Sequence, residues 1–353
     1  PKNYFKDRWN IPFFLGGVLI LISAFFHNFF LNNPAVNLWN SNLSYLGLFN
    51  WIPLFWIFWA SQKYLVSNDD RKRFSLVLLA GSVPILIAGF AQNYFEIYGP
   101  FRTLYGLIVW YQRKIIDPAG ISSIFNNANY AGSWLSIILP FSIAFFLDIT
   151  KLNIKKVVSI IFLSSISWSI LLTNSRSAWG SFLASLPIVI GLNSLRWLIP
   201  LLVLVAIIVS FTTMPLFTSN LQEILREIIP NKIWMEFSYL GFQSMDVSRF
   251  GIWNSALTNI SNNPLFGYGG GSFSAIYESQ SSFWKGHAHN LPLELAFSYG
   301  VPSAIIIFAP IVVLLVISFK KIFLEQLAKD QKLDFISKAW WASIFILFIS
   351  QQI

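Results

Sequence analysis

The chain has 353 residues, 55% of them hydrophobic and only 11% charged. Soluble domains carry roughly 25% charged residues, so this composition cannot build a surface that faces water on all sides, and a soluble globular enzyme is excluded. Cysteine is absent, which removes disulfides, thiolate nucleophiles, iron–sulfur clusters and Cys-ligated zinc. The net charge of +9 is then a question of which side of a membrane holds the basic residues, not an address for nucleic acid.

Apolar runs of about 18 or more residues, each long enough to cross a hydrocarbon core of roughly 30 Å as a helix, recur from end to end. They predict nine spans, at about 11–31, 45–62, 75–92, 130–147, 157–173, 177–194, 197–214, 300–318 and 336–353. The expected fold is therefore all-α, a polytopic transmembrane helix bundle. Spans one to seven fall in 1–214, a large loop in 215–299, and spans eight and nine in 300–353. Pro1–Trp9 lacks a signal-peptide pattern, so the first span is expected to stay in the mature protein. Ile353 falls inside an apolar run, which leaves room for further spans.

With the N-terminus placed in the cytoplasm, the outer side holds Arg102, Arg113, Lys114, Arg176, Arg226, Lys232, Arg249 and Lys285, leaving 16 of the 24 basic residues inside. The outer side has more loop sequence yet half as many basic residues as the inner side, so the positive-inside rule favours this orientation. The mixed charges of Lys320–Asp334 suit a solvated cytoplasmic connector.

Two outer segments, 93–129 and 215–299, exceed the usual helix-to-helix link of about 2–8 residues. Within the first, the apolar, aromatic stretch Phe101–Ile116 is flanked by Arg102, Arg113 and Lys114, which predicts a helix lying in the interface or a short re-entrant piece. In the second, Leu221, Ile224, Leu225 and Ile228 share one helical face, and Pro230 ends or kinks that helix. A further helix is expected after an N-cap at Asp246 or Ser248, running through Arg249, Trp253, Ala256 and Leu257 and stopping before Pro264.

Candidate chemistry concentrates in the outer loops. Lys285–Asn290 (KGHAHN) puts His287 and His289 one residue apart, and a neutral imidazole can take a proton from a hydroxyl as a general base. The same pair also reads as surface or structural histidines, or as the start of a zinc site whose other ligands would be sought in Asp246, Glu278 and Glu294. Arg176, in Thr173–Gly180 (TNSRSAWG), has no carboxylate in either adjoining span and reads as an anion-binding residue, or as an arginine that meets lipid phosphate. Arg249 and Trp253, four apart, share a helical face; a guanidinium can fork onto phosphate beside an indole stacked on a sugar, and a plain amphipathic helix is the other reading. The glycines of Pro264–Phe273 (PLFGYGGGSF) read as a tight turn with close backbone approach, since no strand precedes them as a phosphate-binding loop requires. His27, near the outer end of the first span, is expected to be a helix-packing histidine.

Three stretches together carry a family resemblance. Ser123–Pro140 (SIFNNANYAGSWLSIILP) resembles a Phe-x-Asn-Pro-Asn-x-x-Ala stretch, with Phe125, Asn127 and Asn129 in register, Ala128 in place of the proline, and Gly132 where the alanine is expected. Ser175, Arg176, Ser177 and Ala178 match a Ser-Arg-Gly/Ser-Ala pattern. His289 and Asn290, nine further residues and then Gly300 follow a His-Asn/Ser/Gln-x9-Gly-x-x-Gly/Thr/Tyr signature, departing from it at Ser303; Ser298 stands where many relatives carry glutamate. Upstream, Arg249, Trp253, Pro264, Gly267, Gly269 and Phe273 resemble the Arg-x-x-x-Trp and Pro-x-x-Gly-x-Gly run of the same loop. Over roughly Ser123 to Ser303 the chain resembles the O-antigen ligase and polymerase family, membrane glycosyltransferases of the bacterial envelope.

The resemblance implies a fold like that of C-type glycosyltransferases, in the bacterial inner membrane, with a periplasmic active site under the 215–299 loop. It implies metal-independent transfer, without a cofactor, of a glycan from a polyprenyl (undecaprenyl) diphosphate carrier to lipid A core (ligase) or to a growing polysaccharide (polymerase). Catalytic roles fall on His289, Arg176 and Arg249, and substrate binding on Arg176, Arg249, Trp253, His287 and Asn290. The partners are the donor, the acceptor and the bilayer, with no nucleic acid. The rival readings are a multi-pass transporter of a small solute such as inorganic carbon, which the scarcity of charge within the spans disfavours, and a noncatalytic envelope scaffold.

Overall fold

The computed structural model describes residues 3–29, 43–110, 112–115, 120–213, 219–228, 249–325 and 334–350. The first helices in chain order are α1 (Asn10–Phe29), α2 (Leu43–Ser61), α3 (Asn68–Gly81) and α4 (Val83–Tyr94). A hairpin of β1 (Phe101–Thr103) and β2 (Ile108–Trp110) follows, then α5 (Ala128–Asp148), α6 (Ile154–Leu172), α7 (Arg176–Ile190), α8 (Leu195–Thr213) and α9 (Ser219–Ile228). The remaining helices are α10 (Arg249–Asn262), α11 (Phe273–Ser281), α12 (Leu291–Tyr299), α13 (Val301–Phe319) and α14 (Phe335–Ser350). The class is all-α and polytopic, as the apolar periodicity predicts.

Among the described residues seven stretches are long and apolar enough to cross a membrane: Asn10–His27, Leu43–Ser61, Asn68–Tyr94, Ala128–Asp148, Ile154–Leu172, Leu192–Thr212 and Val301–Glu325. The other two expected spans are α7, of 15 residues, and α14, of 16, both shorter than the roughly 17–25 residues a spanning helix needs. Residues 351–353 of the last expected span lie outside the described residues. Both short helices pack against α5, the most buried of the spans, and against each other. Backbone at membrane depth is tolerated where protein covers it.

The third expected span is two helices. α3 starts at Asn68, with Asp69 and Asp70 in its first turn, where carboxylates favour the positive end of the helix dipole. Ser82 separates it from α4, and Pro84, in the first turn of α4, is tolerated there because it needs no backbone N–H partner.

Phe101–Ile116 forms no α-helix where it is described. Instead β1 and β2 pair antiparallel, Phe101 opposite Trp110, Arg102 opposite Val109 and Thr103 opposite Ile108. Leu104, Tyr105 and Gly106 all have positive φ, at 50°, 55° and 88°, which reverses the chain within three residues and forbids a continuous right-handed helix. Gly99 N–H donates to Gln112 O at 2.8 Å and extends the pairing. Ile116 lies outside the described residues.

Two compact units divide the chain. The first comprises Pro1–Ser67, Gln243–Lys320 and Gln351–Ile353. In it α1 packs on α2, α12 and α13, and α12 also packs on α10, α11 and α13. Its core includes Phe13, Ile20, Phe55, Ile252, Phe273, Leu295, Phe297 and Ile307. His27 is buried, as a packing residue should be, with Nε2 donating to Phe266 O at 3.1 Å; Ser23 Oγ donates to the same oxygen at 2.6 Å.

The second unit comprises Asn68–Phe242 and Lys321–Ser350. Here α5 is the central helix, and Leu135, Ile138, Leu139 and Phe141 pack with Ile166, Ile170, Val189 and Ala339. Inside a bilayer such contacts stabilise by close packing, since lipid tails are as apolar as the side chains they replace. The predicted amphipathic helix is α9, and Arg226 on it donates through Nε and Nη2 to Thr212 O, at 3.0 and 2.8 Å. That bond satisfies a carbonyl in the last turn of α8. Pro230 lies outside the described residues.

Candidate active site

The KGHAHN segment is fastened from three sides within the first unit. Ala288, between the histidines, is fully buried. Its N–H donates to Glu294 Oε2 at 2.8 Å, and its carbonyl accepts from Trp253 Nε1 at 3.1 Å. Asn290 caps α12, its Oδ1 accepting from Leu293 N–H at 3.1 Å. Between these anchors His289 is held at a φ of 53°, a left-handed conformation that costs on the order of 1–3 kcal/mol unless the surroundings over-determine it.

The ring centroids of His287 and His289 are 4.3 Å apart, inclined at 49°. Arg249 is the first described residue of α10, and Trp253 follows one turn later on the same face. Trp253 also meets Phe250 edge to face, with centroids 5.7 Å apart. The helix expected there is present, and its expected N-cap residues, Asp246 and Ser248, lie outside the described residues.

Burial first, then electrostatic repulsion from His287, Arg249 and Lys285, lowers the His289 pKa to about 4. Burial likewise lowers His287. At neutral pH both imidazoles are therefore neutral, the state in which a ring nitrogen can accept a proton. Burial raises the Glu294 carboxyl, against the opposing effect of the bonds from Ala288 and Ser298.

The glycine-rich run supports this segment by backbone pairing. Tyr268 N–H donates to Phe297 O and Gly269 N–H to Ser298 O, both at 2.8 Å, and Val301 N–H donates to Pro264 O at 2.8 Å. Gly300 has a φ of 87°, and a Cβ there would lie 2.0 Å from Leu265 O. Within the run, Gly267 has a φ of 65° and a Cβ there would lie 2.3 Å from Phe297 O, so close backbone approach is what the run provides, as the sequence suggests.

Arg176 belongs to the second unit, where it opens α7 and is exposed. Its N-cap, Ser175, is buried; Ser175 Oγ lies 3.0 Å from Ser177 Oγ, and Ser175 N–H donates to Thr173 Oγ1 at 3.3 Å. The start of α5 adjoins the start of α7: a Cβ on Gly132 would lie 2.9 Å from Ala178 Cβ and 3.1 Å from Ser175 Cβ. Asn127 caps α5 through Asn129 N–H at 2.8 Å. Two of the stretches noted in the sequence, Ser123–Pro140 and Thr173–Gly180, therefore meet. Neither helix has an acidic residue in its first turn, and both dipoles present their positive ends.

Arg249, Trp253, His287, His289 and Asn290 thus gather in one unit, and Arg176 stands in the other with Asn127. Sequence reasoning missed the role of Glu294 as the acceptor for Ala288. A lone carboxylate in the otherwise apolar Leu291–Tyr299 was the available signal. Among the described residues no group of three or more His, Asp and Glu side chains gathers as metal ligands.

Multiple apolar helices long enough to span a bilayer, together with a loop whose two imidazoles are kept neutral near an arginine, mark a multi-pass membrane protein. Residues 161–308 match the family model described as O-antigen ligase. The match over that stretch supports the O-antigen ligase and polymerase family. It supports glycan transfer of that general type in a bacterial membrane. The match covers the Arg176 stretch and the whole histidine loop, and begins after the Ser123–Pro140 stretch. No curated protein matches the chain significantly.

Proposed function

We propose that the protein is an inner-membrane glycosyltransferase that moves a glycan from a polyprenyl diphosphate carrier, of the undecaprenyl kind, onto a sugar hydroxyl. The acceptor is lipid A core in a ligase or another glycan chain in a polymerase, and the reaction faces the periplasm. In this reading His289 takes the acceptor hydroxyl proton as the oxygen bonds to the anomeric carbon. The bond from that carbon to the diphosphate breaks, and its electron pair leaves on the diphosphate oxygen. Arg249 and Arg176 are the cations assigned to the diphosphate. Charge held by guanidinium groups stabilises a departing anion without a metal. Trp253 offers a ring face to a sugar, and His287 and Asn290 complete the binding set.

The observation that carries this reading is the neutral His289, fixed through Ala288 beside Arg249. Replacing His289 with Ala and following the length and attachment of surface polysaccharide tests it. Unchanged polymer would remove His289 from the chemistry. Transfer that survives complete chelation of divalent cations is expected, and loss on chelation would overturn the metal-free step.

A further inference from the structure

A second feature lies away from the histidine loop, at the charged ends of α3, α5 and α6, all within the second unit. The break at Ser82 lets α3 pack on α5 while α4 packs on α6. Between these helices a groove of about 700 Å³ opens, within the roughly 300–1,000 Å³ of known ligand pockets. Leu76, Val83, Val158 and Phe162 give it an apolar wall, and Lys72, Asp148 and Lys155 line it from near the start of α3, the end of α5 and the start of α6.

Lys72 pairs with Asp148. Its Nζ lies 2.5 Å from Asp148 Oδ2 and 5.9 Å from the centroid of the Phe145 ring. An ammonium has three donors; Asp148 engages one and fixes the direction of the others. Two lysines and one carboxylate leave a single net positive charge, the complement of one phosphodiester. The walls belong to three membrane-crossing stretches, Asn68–Tyr94, Ala128–Asp148 and Ile154–Leu172. The fitting ligand therefore has an anionic head at the bilayer interface and apolar chains below it.

We propose that this groove binds an anionic phospholipid, with its phosphodiester at Lys72 and Lys155 and an acyl chain along Leu76, Val83 and Phe162. Asp148 is then a positioning residue that orients Lys72. The site shares no residue with the proposed transfer chemistry, so either reading can fail without the other.

Native mass spectrometry of the full chain in detergent tests it, with phosphatidylglycerol and phosphatidylcholine of identical acyl chains as probes and inorganic phosphate as a third. Phosphatidylglycerol should be retained in preference to phosphatidylcholine. Lys155→Gln should weaken phosphatidylglycerol about fivefold, the value of one lysine near an anionic headgroup, and leave phosphatidylcholine unchanged. Ser159→Trp, which fills the groove without altering charge, should abolish retention of phosphatidylglycerol. Melting temperatures without lipid establish that both variants are folded, and Lys155, exposed on the surface, is the safe substitution if the tryptophan disturbs packing. Equal retention of the two lipids, phosphatidylglycerol binding untouched by Lys155→Gln, or full displacement by inorganic phosphate would overturn the proposal, the last by pointing to a bare anion site.

Discussion

Ala288 and Glu294 are joined by an N–H to carboxylate bond of 2.8 Å that ties the histidine segment to the helix following it. An unpaired buried donor costs about 1–3 kcal/mol. Glu294→Ala should therefore loosen the 287–290 backbone and lower kcat at least tenfold while the protein stays folded. Glu294→Gln keeps an acceptor oxygen and should restore most of the rate. Hydrogen exchange at 287–290 and a transfer assay on the same samples check this; exchange unchanged in Glu294→Ala would remove the tether.

The electrostatics of His289 predict a split pH profile. A general base works deprotonated, so activity is lost as pH falls through its pKa. In the free protein that value is lowered from 6.5 to about 4, which sets the acid limb of kcat/KM well below the ordinary histidine range. A bound diphosphate adds negative charge beside the Arg249 and Lys285 cations, so the acid limb of kcat should lie at higher pH. Lys285→Met removes one of those cations and should move the kcat/KM limb upward. Coincident limbs for kcat and kcat/KM would mean that the diphosphate does not sit near His289.

How much of this was open to sequence reading follows from the range of each interaction. The helical spans show in hydropathy because each is continuous in sequence, and Arg249 with Trp253 show because i and i+4 share a face. The Phe101–Trp110 hairpin does not, since an apolar aromatic run with basic flanks suits helix and strand alike. Its outcome rests on positive φ at Leu104, Tyr105 and Gly106, two of which are residue types that rarely adopt it. The lengths of α7 and α14 were similarly hidden, because packing on α5 and not hydropathy makes a short helix tolerable. No periodicity encodes Glu294 reaching Ala288, where a side chain meets backbone in a left-handed turn.

Backbone conformation at His289 separates its chemical role from its structural one. Asparagine tolerates a φ of 53° better than most residues and has no base of comparable strength. His289→Asn should therefore leave the melting temperature within a few degrees while transfer falls by about 10²–10⁴, the usual worth of a general base. His287→Asn should reduce transfer less, since it contributes to the field around His289 without taking the proton. Equal losses in the two variants would shift the base role from one ring to the pair.

Gly300 closes the His289-Asn290-x9-Gly pattern, and its position there has a backbone reason. With φ at 87° and a would-be Cβ 2.0 Å from Leu265 O, even alanine must push the 264–269 segment off the backbone of 297–301, breaking bonds such as Val301 N–H to Pro264 O. Strain and overpacking together predict a loss of about 3 kcal/mol or more for Gly300→Ala. Gly81→Ala is the control: Gly81 ends α3, its φ is not positive, and a Cβ there meets nothing within 4 Å. Thermal unfolding in detergent should show a clear drop for the first and none for the second. Gly300→Ala should then lose fold and transfer together, whereas His289→Asn loses transfer alone. A Gly300→Ala protein that melts normally yet fails to transfer would instead mean that the glycine serves the substrate directly.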